Sequence, residues 1–245
     1  MSAFSIAGRQ IGADHPPYII AEISANHNQD LDRALAIVEA AKKAGADAIK
    51  LQTYTPDTIT FPSKRKEFQV DGTIWEGKSL YELYQDAYTP WEWHETIFKK
   101  ARSLNMHAFS SPFDDTAVDF LTDLNVPAYK IASSELVDIP LLEKVASTGV
   151  PVILSTGMGT LSEIREAVDC LTEFGCPQIS LLKCTASYPA KPEEANLKAI
   201  ATLAKEFDCV IGLSDHTKGA TVAVAAVALG AAIVEKHLTL KRSDG

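Results

Sequence analysis

KKAGADAIKLQTYTPDT, residues 42–58, holds the unit from which the fold is read. A basic last turn with a glycine stop, at Lys42, Lys43 and Gly45, ends a helix. AIKLQT (48–53) is then a short apolar run that closes in polar residues instead of a plain turn. Upstream, Leu31, Leu35 and Val38 recur at helical spacing among Asp, Arg, Glu and Lys, so that segment can bury one stripe against a sheet. Similar runs occur at YIIAEI (18–23), MHAFSS (106–111), AYKIAS (128–133), PVILSTG (151–157), ISLLKC (179–184), CVIGLSD (209–215) and AIVEKHLT (232–239). The spacing predicts further helices at 91–104, 114–124, 138–148, 160–174, 192–207 and 218–230. Strand, helix, strand at this interval favours parallel sheet with right-handed crossovers. Eight such units predict an α/β fold of the (β/α)8 barrel type, with the active site at the strand ends.

The 245 residues suit one such domain, residues 1–245, and offer no linker at which to divide it. A hydrophobic content of 46% fits a soluble globular protein, and no apolar stretch has the length of a membrane span. MSAFSIAGRQIG (1–12) lacks the basic, apolar and cleavage regions of a signal peptide, so the cytoplasm is the expected compartment and no membrane partner is expected. A net charge of -9 argues against nucleic-acid binding, although local basic residues can hold a small anion. Cys170, Cys176, Cys184 and Cys209 form no CxxC pair or zinc spacing, and read as reduced structural thiols.

Residues 55–89 are long for a barrel crossover. They contain SKRKEFQ (63–69) and the start of the aromatic-rich SLYELYQDAYTPWEW (79–93), and predict an irregular loop plus an added helix. Such a segment either covers substrate or packs an aromatic surface onto the barrel, and the two are compatible. The sequence ends in HLTLKRSDG (237–245), before the helix that a closed barrel expects after strand eight, and so reads as a barrel truncated there.

Chemistry-bearing residues collect at the ends of the runs. Glu22 closes the first and is positioned to activate water, or alternatively to orient a neighbour or cap a helix. Lys50 and Gln52 share one face of their strand by period-two alternation, and Lys130 lies inside another apolar run. Buried lysines demand an anion: substrate phosphate or carboxylate, or an internal carboxylate. Lys183 in LLKCTASYP (181–189) keeps open an aldolase acting through a Schiff base. Ser110, Ser133, Ser134, Ser155, Thr156 and Ser214 supply hydroxyls which, with backbone amides, can cradle phosphate without a Walker loop, and no GxxxxGK[ST] is present. His216 and His237 fall on adjacent strand ends and can hold a divalent metal (manganese, iron, cobalt or zinc), with Asp215 and Glu235 behind them or balancing charge.

Taken together, IAEISANHNQDLDRAL (20–35), AGADAIKLQTYTPDT (44–58), FSSPFD (109–114), YKIASSE (129–135), ILSTGMG (153–159), GLSDHT (212–217) and EKHLTLKRSDG (235–245) strongly resemble the N-terminal barrel of the sialic-acid synthase family. TIWEGKSLYELYQDAYTPWEWH (73–94) looks more like the branch that uses a 2,4-diacetamido-2,4,6-trideoxy-altrose than the branch that uses N-acetylmannosamine. CTASYP (184–189) has Ala186 where the latter branch carries a side-chain amide. The resemblance implies condensation of phosphoenolpyruvate with an acetamido sugar. His216 and His237 then look like ligands of a divalent metal, expected to be Mn2+, and Glu22 like the group that guides or deprotonates water. Lys50, Lys130, Ser110, Ser133, Ser155 and Ser214 resemble phosphoenolpyruvate-binding positions, while Gln52, Glu135 and Tyr188 resemble residues that organise the sugar pocket. It also implies a homodimer and a C-terminal antifreeze-like (SAF) domain beyond residue 245, without which the barrel is expected to be weakly active or inactive. A reading of another class is a catalytically silent phosphate-binding barrel that serves assembly.

Overall fold

The structure, a computed structural model, describes residues 4–72 and 75–243. Met1 to Ala3, and the ends Thr73, Ile74, Asp244 and Gly245 of two stretches that carry the resemblance, lie outside them. Eight parallel strands close a barrel in chain order: β3 (Tyr18–Glu22), β4 (Ala48–Thr53), β5 (His107–Pro112), β6 (Tyr129–Ile131), β7 (Val152–Ser155), β8 (Ile179–Cys184), β9 (Val210–Asp215) and β10 (Ile233–His237), with β10 beside β3. Every predicted run is a strand. The runs 128–133, 151–157 and 232–239 shrink most, because their polar tails leave the sheet for the loops that form the site.

The connecting helices are α1 (Leu31–Ala44), α2 (Pro56–Ile59), α3 (Leu80–Ala87), α4 (Trp91–Ser103), α5 (Asp115–Asp123), α6 (Ile139–Ala146), α7 (Leu161–Glu173), α8 (Lys198–Glu206) and α9 (Thr221–Ala228). α1 begins where the Asp30 side chain accepts the Arg33 N–H, and stops where Gly45 takes a φ of 91°, a conformation that a Cβ would strain. The helix expected over 192–207 is instead a single 3-10 turn at Pro192–Glu194, with α8 starting at Lys198. The described residues of the segment 55–89 include α2, a 3-10 turn at Lys66–Phe68 and α3, in keeping with the irregular loop and added helix that its composition predicts.

An antiparallel hairpin that the sequence reading did not anticipate, β1 (Phe4–Ile6) and β2 (Arg9–Ile11), closes the N-terminal end of the barrel. It buries Phe4, Ile6 and Ile11 against the core. The Ser5 N–H donates to Gln178 Oε1 at 2.8 Å, and Arg9 pairs with Asp47, whose other oxygen accepts the Ile19 N–H at 2.8 Å. Gln178 and Asp47 immediately precede β8 and β4, so the floor is tied to two separate strands.

Inside, strands buried on both faces explain the continuous apolar runs. The interior leaves no room at Gly212: a Cβ there would stand 2.5 Å from Leu182 Cδ2 and 2.6 Å from the Ile233 carbonyl oxygen. No helix among the described residues is long and apolar enough to cross a membrane.

Candidate active site

Four ionisable side chains meet inside the C-terminal half of the barrel: Glu22, Lys50, Lys130 and Glu235, exposed by 1%, 3%, 2% and 6% respectively. The strand register brings them together. Glu22 is level with Lys50 across β3 and β4, and with His237 across β10 and β3. Lys50 pairs directly with Glu22, and its Nζ stands 3.8 Å from Glu235 Oε1 and donates to Ser111 Oγ at 3.3 Å. Lys130 Nζ stands 3.9 Å from Glu235 Oε2 and donates to Ser155 Oγ at 2.7 Å and to the Ile131 carbonyl at 2.9 Å. The internal-carboxylate reading of both lysines is therefore what the structure displays. Glu235 bridges both ammonium groups, yet its Oε2 accepts no hydrogen bond. A buried carboxylate oxygen in that condition calls for water or a ligand atom.

Burial pushes the Glu22 carboxyl above its usual range against the pull of Lys50, and Glu235 adds to the rise. Burial pushes Glu235 up too, but Lys130 and Lys50 outweigh it and bring the group below the ordinary value. Two carboxyls a short distance apart are thus driven in opposite directions, the arrangement that separates a proton acceptor from a permanent anion. Lys130, with a more distant counter-charge, is lowered by burial, whereas Lys50 is raised because Glu22 and Glu235 overcome its burial.

The hydroxyls divide by strand parity. Ser155 contacts Lys130, and Ser133 Oγ accepts the Gly157 N–H at 3.1 Å, beside Cys184. Ser214 is buried and level with both Cys184 and Glu235. Ser110 is turned away from this cluster. Its Oγ shares a 2.7 Å hydrogen bond with Thr53, which reaches His94 Nε2 of α4 at 2.8 Å, so it lies between the barrel and its helices. Ser111, level with Gln52, faces inward in its place and receives Lys50. Two adjacent serines look alike in sequence, and the register of β5 against β4 decides between them. Lys183 also alternates outward: it lines a groove with residues of α7 and α8 and donates to Thr185 Oγ1, away from the interior where a Schiff base would form.

The rings of His216 and His237 lie 5.4 Å apart at the mouth, and Tyr188 stacks 4.1 Å from His216. His216 Nδ1 is 2.8 Å from the Thr185 carbonyl oxygen. A carbonyl only accepts, so Nδ1 carries a hydrogen, and Nε2 is the nitrogen left to ligate when the ring is neutral. Burial, with His216 and Lys50 adding, pushes His237 down to about 3, which leaves it a neutral imidazole fit to ligate. Among the described residues no group of three or more His, Cys, Asp or Glu side chains converges to hold a metal alone. Two imidazoles, with water and substrate oxygens completing the shell, fit a divalent ion of mixed nitrogen and oxygen preference. Glu235 balances charge behind them, whereas Asp215 is tied to Lys236 at 2.7 Å and to Thr217.

Glu135 and Gln52 occupy the rim. Glu135 is raised by burial and accepts the Ser134 hydroxyl at 2.8 Å, and Gln52 lies two residues beyond Lys50 on the same strand.

A profile described as the NeuB family matches residues 37–245. The chain is 48% identical over 228 residues to the pseudaminic acid synthase of Helicobacter pylori, covering 93% of this chain and 67% of that protein. It is 39% identical over 236 residues to the N,N'-diacetyllegionaminic acid synthase of Legionella pneumophila, covering 95% and 66%. It therefore spans about two thirds of the length of these relatives. In a crystal structure from Leptospira borgpetersenii serovar Hardjo-bovis, the N-acetylneuraminic acid (sialic acid) synthetase in complex with citrate superimposes with a TM-score of 0.88 at 35% identity, over 99% of this chain and 80% of that one.

Proposed function

The chain belongs to the NeuB family of sialic-acid synthases, and from that premise we propose that the protein is a pseudaminic acid synthase. It condenses phosphoenolpyruvate with 2,4-diacetamido-2,4,6-trideoxy-β-L-altropyranose and water, releasing pseudaminic acid and phosphate. The observation that carries the chemistry is the buried quartet of Glu22, Lys50, Lys130 and Glu235 beside two imidazoles. The sugar assignment is supported by 48% identity to a pseudaminic acid synthase against 39% to a diacetyllegionaminic acid synthase, and by Ala186 in CTASYP.

Lys50 and Lys130 neutralise the phosphate and carboxylate of phosphoenolpyruvate, and Ser111, Ser133, Ser155 and Ser214 donate around them. Many modest contacts orient both reactants without trapping the product. C3 of the enol attacks the carbon of the sugar aldehyde and forms the new carbon–carbon bond, while the C=O π pair moves onto oxygen, which takes up a proton to become a hydroxyl. Manganese held by His216 and His237 would supply polarisation of that aldehyde. C2 of the former enol, now electron-poor, receives water whose proton passes to Glu22. The tetrahedral centre then expels phosphate by C–O cleavage, and no covalent enzyme intermediate is required. Glu22 is fitted to this task because its raised affinity for protons makes it a stronger base than an exposed glutamate. Gln52, Glu135 and Tyr188 shape the sugar side of the cavity. The same reading carries a homodimeric, cytoplasmic enzyme.

Manganese-dependent phosphate release by the full-length protein tests the proposal. The altrose-configured sugar is compared with N-acetylmannosamine, the legionaminate precursor and a no-sugar control, with the product identified by mass. Preference for another sugar transfers the assignment to neuraminate or legionaminate synthesis; no condensation with any sugar overturns the enzyme reading.

A further inference from the structure

Three aromatic rings stand together where β4, α3 and β5 meet the mouth of the barrel. Tyr54, the residue after β4, sits edge-on to Tyr84 of α3 at 5.5 Å and to Phe113, the residue after β5, at 5.4 Å. The wall is held from several sides. Trp91 Nε1 donates to the Tyr54 carbonyl at 3.1 Å, and the Tyr81 hydroxyl donates to Asp57 Oδ1 at 2.9 Å. The Gln29 side-chain amide, from the loop after β3, donates to the carbonyls of Asp86 and Tyr88 at 3.1 and 2.6 Å. A capping box of Ser79 and Glu82 starts α3. The helix is therefore fixed over the loops that follow Glu22 and Gln52.

The polar ends of this wall are unused. Tyr54 is only 3% exposed, yet its hydroxyl finds no hydrogen-bond partner among the described residues, and the same is true of the Tyr84 hydroxyl. Neither phenol oxygen is sealed among buried atoms, so both are open to an acceptor that arrives from outside. Burial and Tyr84 raise the Tyr54 phenol and Glu22 adds to this, while Tyr84 is raised by burial and then by Glu135. Tyr54 falls two residues beyond Gln52, in the alternation that puts Lys50 and Gln52 on the inner face, so the two tyrosines flank the mouth of the barrel on that side. An occupant of the mouth that offers carbonyl acceptors and methyl groups together matches a wall of donors set among ring faces.

We propose that Tyr54 and Tyr84 are specificity-determining residues, whose hydroxyls donate to the acetamido carbonyl oxygens of the acceptor sugar while their rings and Phe113 cover its methyl groups. The inference rests on the condensation reading above and assigns the 55–89 segment a purpose: it supplies α3, and with it one of the two donors.

Tyr54→Phe and Tyr84→Phe keep the rings and remove only the hydroxyls. In the full-length manganese-loaded protein, each is expected to raise KM for the diacetamido sugar about 3- to 10-fold, the range of one neutral hydrogen bond, with KM for phosphoenolpyruvate unchanged. The preference for that sugar over N-acetylmannosamine falls by a similar factor in at least one variant, because a sugar with a single acetamido group cannot satisfy both donors. Calorimetric titration of sugar without phosphoenolpyruvate reads the same loss apart from turnover. Unchanged sugar affinity and unchanged discrimination overturn the inference, as does a parallel rise in KM for phosphoenolpyruvate, which would mark general damage to the site. Wild-type turnover with a different acetamido sugar corrects only the sugar assignment, and the variants are then compared on that sugar. A wild-type protein that binds no acetamido sugar overturns both.

Discussion

Glu235→Gln is isosteric, and so isolates the charge that joins the two buried lysines. Its oxygens lie 3.8 Å from Lys50 and 3.9 Å from Lys130. At an effective dielectric of 20, each of these attractions is worth about 4 kcal/mol before desolvation is counted. The amide escapes the desolvation cost of a buried carboxylate, which offsets part of the loss. Lys50 retains Glu22, but Lys130 is left with a hydroxyl and a carbonyl and no close anion. The net destabilisation expected for removing one partner of a buried ion pair is about 3 kcal/mol, which for this chain length lowers Tm by roughly 6–12 °C. Because Lys130 and Lys50 hold Glu235 below its unfolded value, its contribution is complete above about pH 4.3 and fades as pH falls through the folded value. The gap between wild type and variant should therefore persist at neutral pH and close in acid. Inorganic phosphate, which meets the uncompensated lysine, should raise the variant's Tm more than the wild type's. Differential scanning fluorimetry across pH and phosphate concentration decides it. A variant within about 2 °C of wild type, with the same phosphate response, would refute the account of the quartet.

Three further outcomes follow from the same geometry. Ser111→Ala should raise KM for phosphoenolpyruvate about 2- to 10-fold, whereas Ser110→Ala should leave KM unchanged and lower stability by about 1–2 kcal/mol through the lost Thr53 and His94 chain; steady-state kinetics and thermal melts on the pair read the register of β5. In Glu22→Gln, kcat should fall by about 100-fold or more. In the wild type, the acid limb of kcat should lie above the usual carboxylate range, since burial raises the group that must be ionised; a wild-type profile with no such limb counts against Glu22 as the base. Lys183→Met should keep turnover within about twofold, consistent with its place outside the barrel, and borohydride with a carbonyl substrate should trap no adduct; an inactive but folded variant would return the Schiff-base route.

The barrel was legible because strands buried on both faces write themselves as unbroken apolar runs, and because the basic last turn and the glycine stop at Gly45 mark a helix end in letters alone. The hairpin was not legible: three-residue strands such as Arg9–Ile11 are too short for alternation to register. The helix expected over 192–207 turns once at Pro192–Glu194 before Lys198 begins the true helix. Within the site, Glu22, Lys50, Lys130 and the two histidines announced themselves as polar residues in or beside apolar runs. Glu235 was read as balancing charge near the histidines, yet its contact with both lysines depends on how β10 meets β3 and β9. Ser111 was missed for a related reason: alternation along one strand fixes which residues share a face, and only the neighbouring strand says which face looks inward. Tyr54 carries no signal in its own position, because its neighbours Tyr84 and Phe113 are supplied by elements 30 and 59 residues downstream.

The hairpin that stoppers the floor of the barrel has a consequence for the order of assembly. Ser5 is joined to Gln178 across 173 positions of chain, so on the ribosome it waits roughly 10–35 s for its partner to be made at ~5–20 residues per second. Over that interval Phe4, Ile6 and Ile11 lack the surface they later cover, and long-range closures of this kind are slow to form. The plug is thus a late event in folding although it is made early, and it can settle only after the sixth barrel strand has emerged. Until then, a small apolar strip of the nascent chain remains open to chaperones.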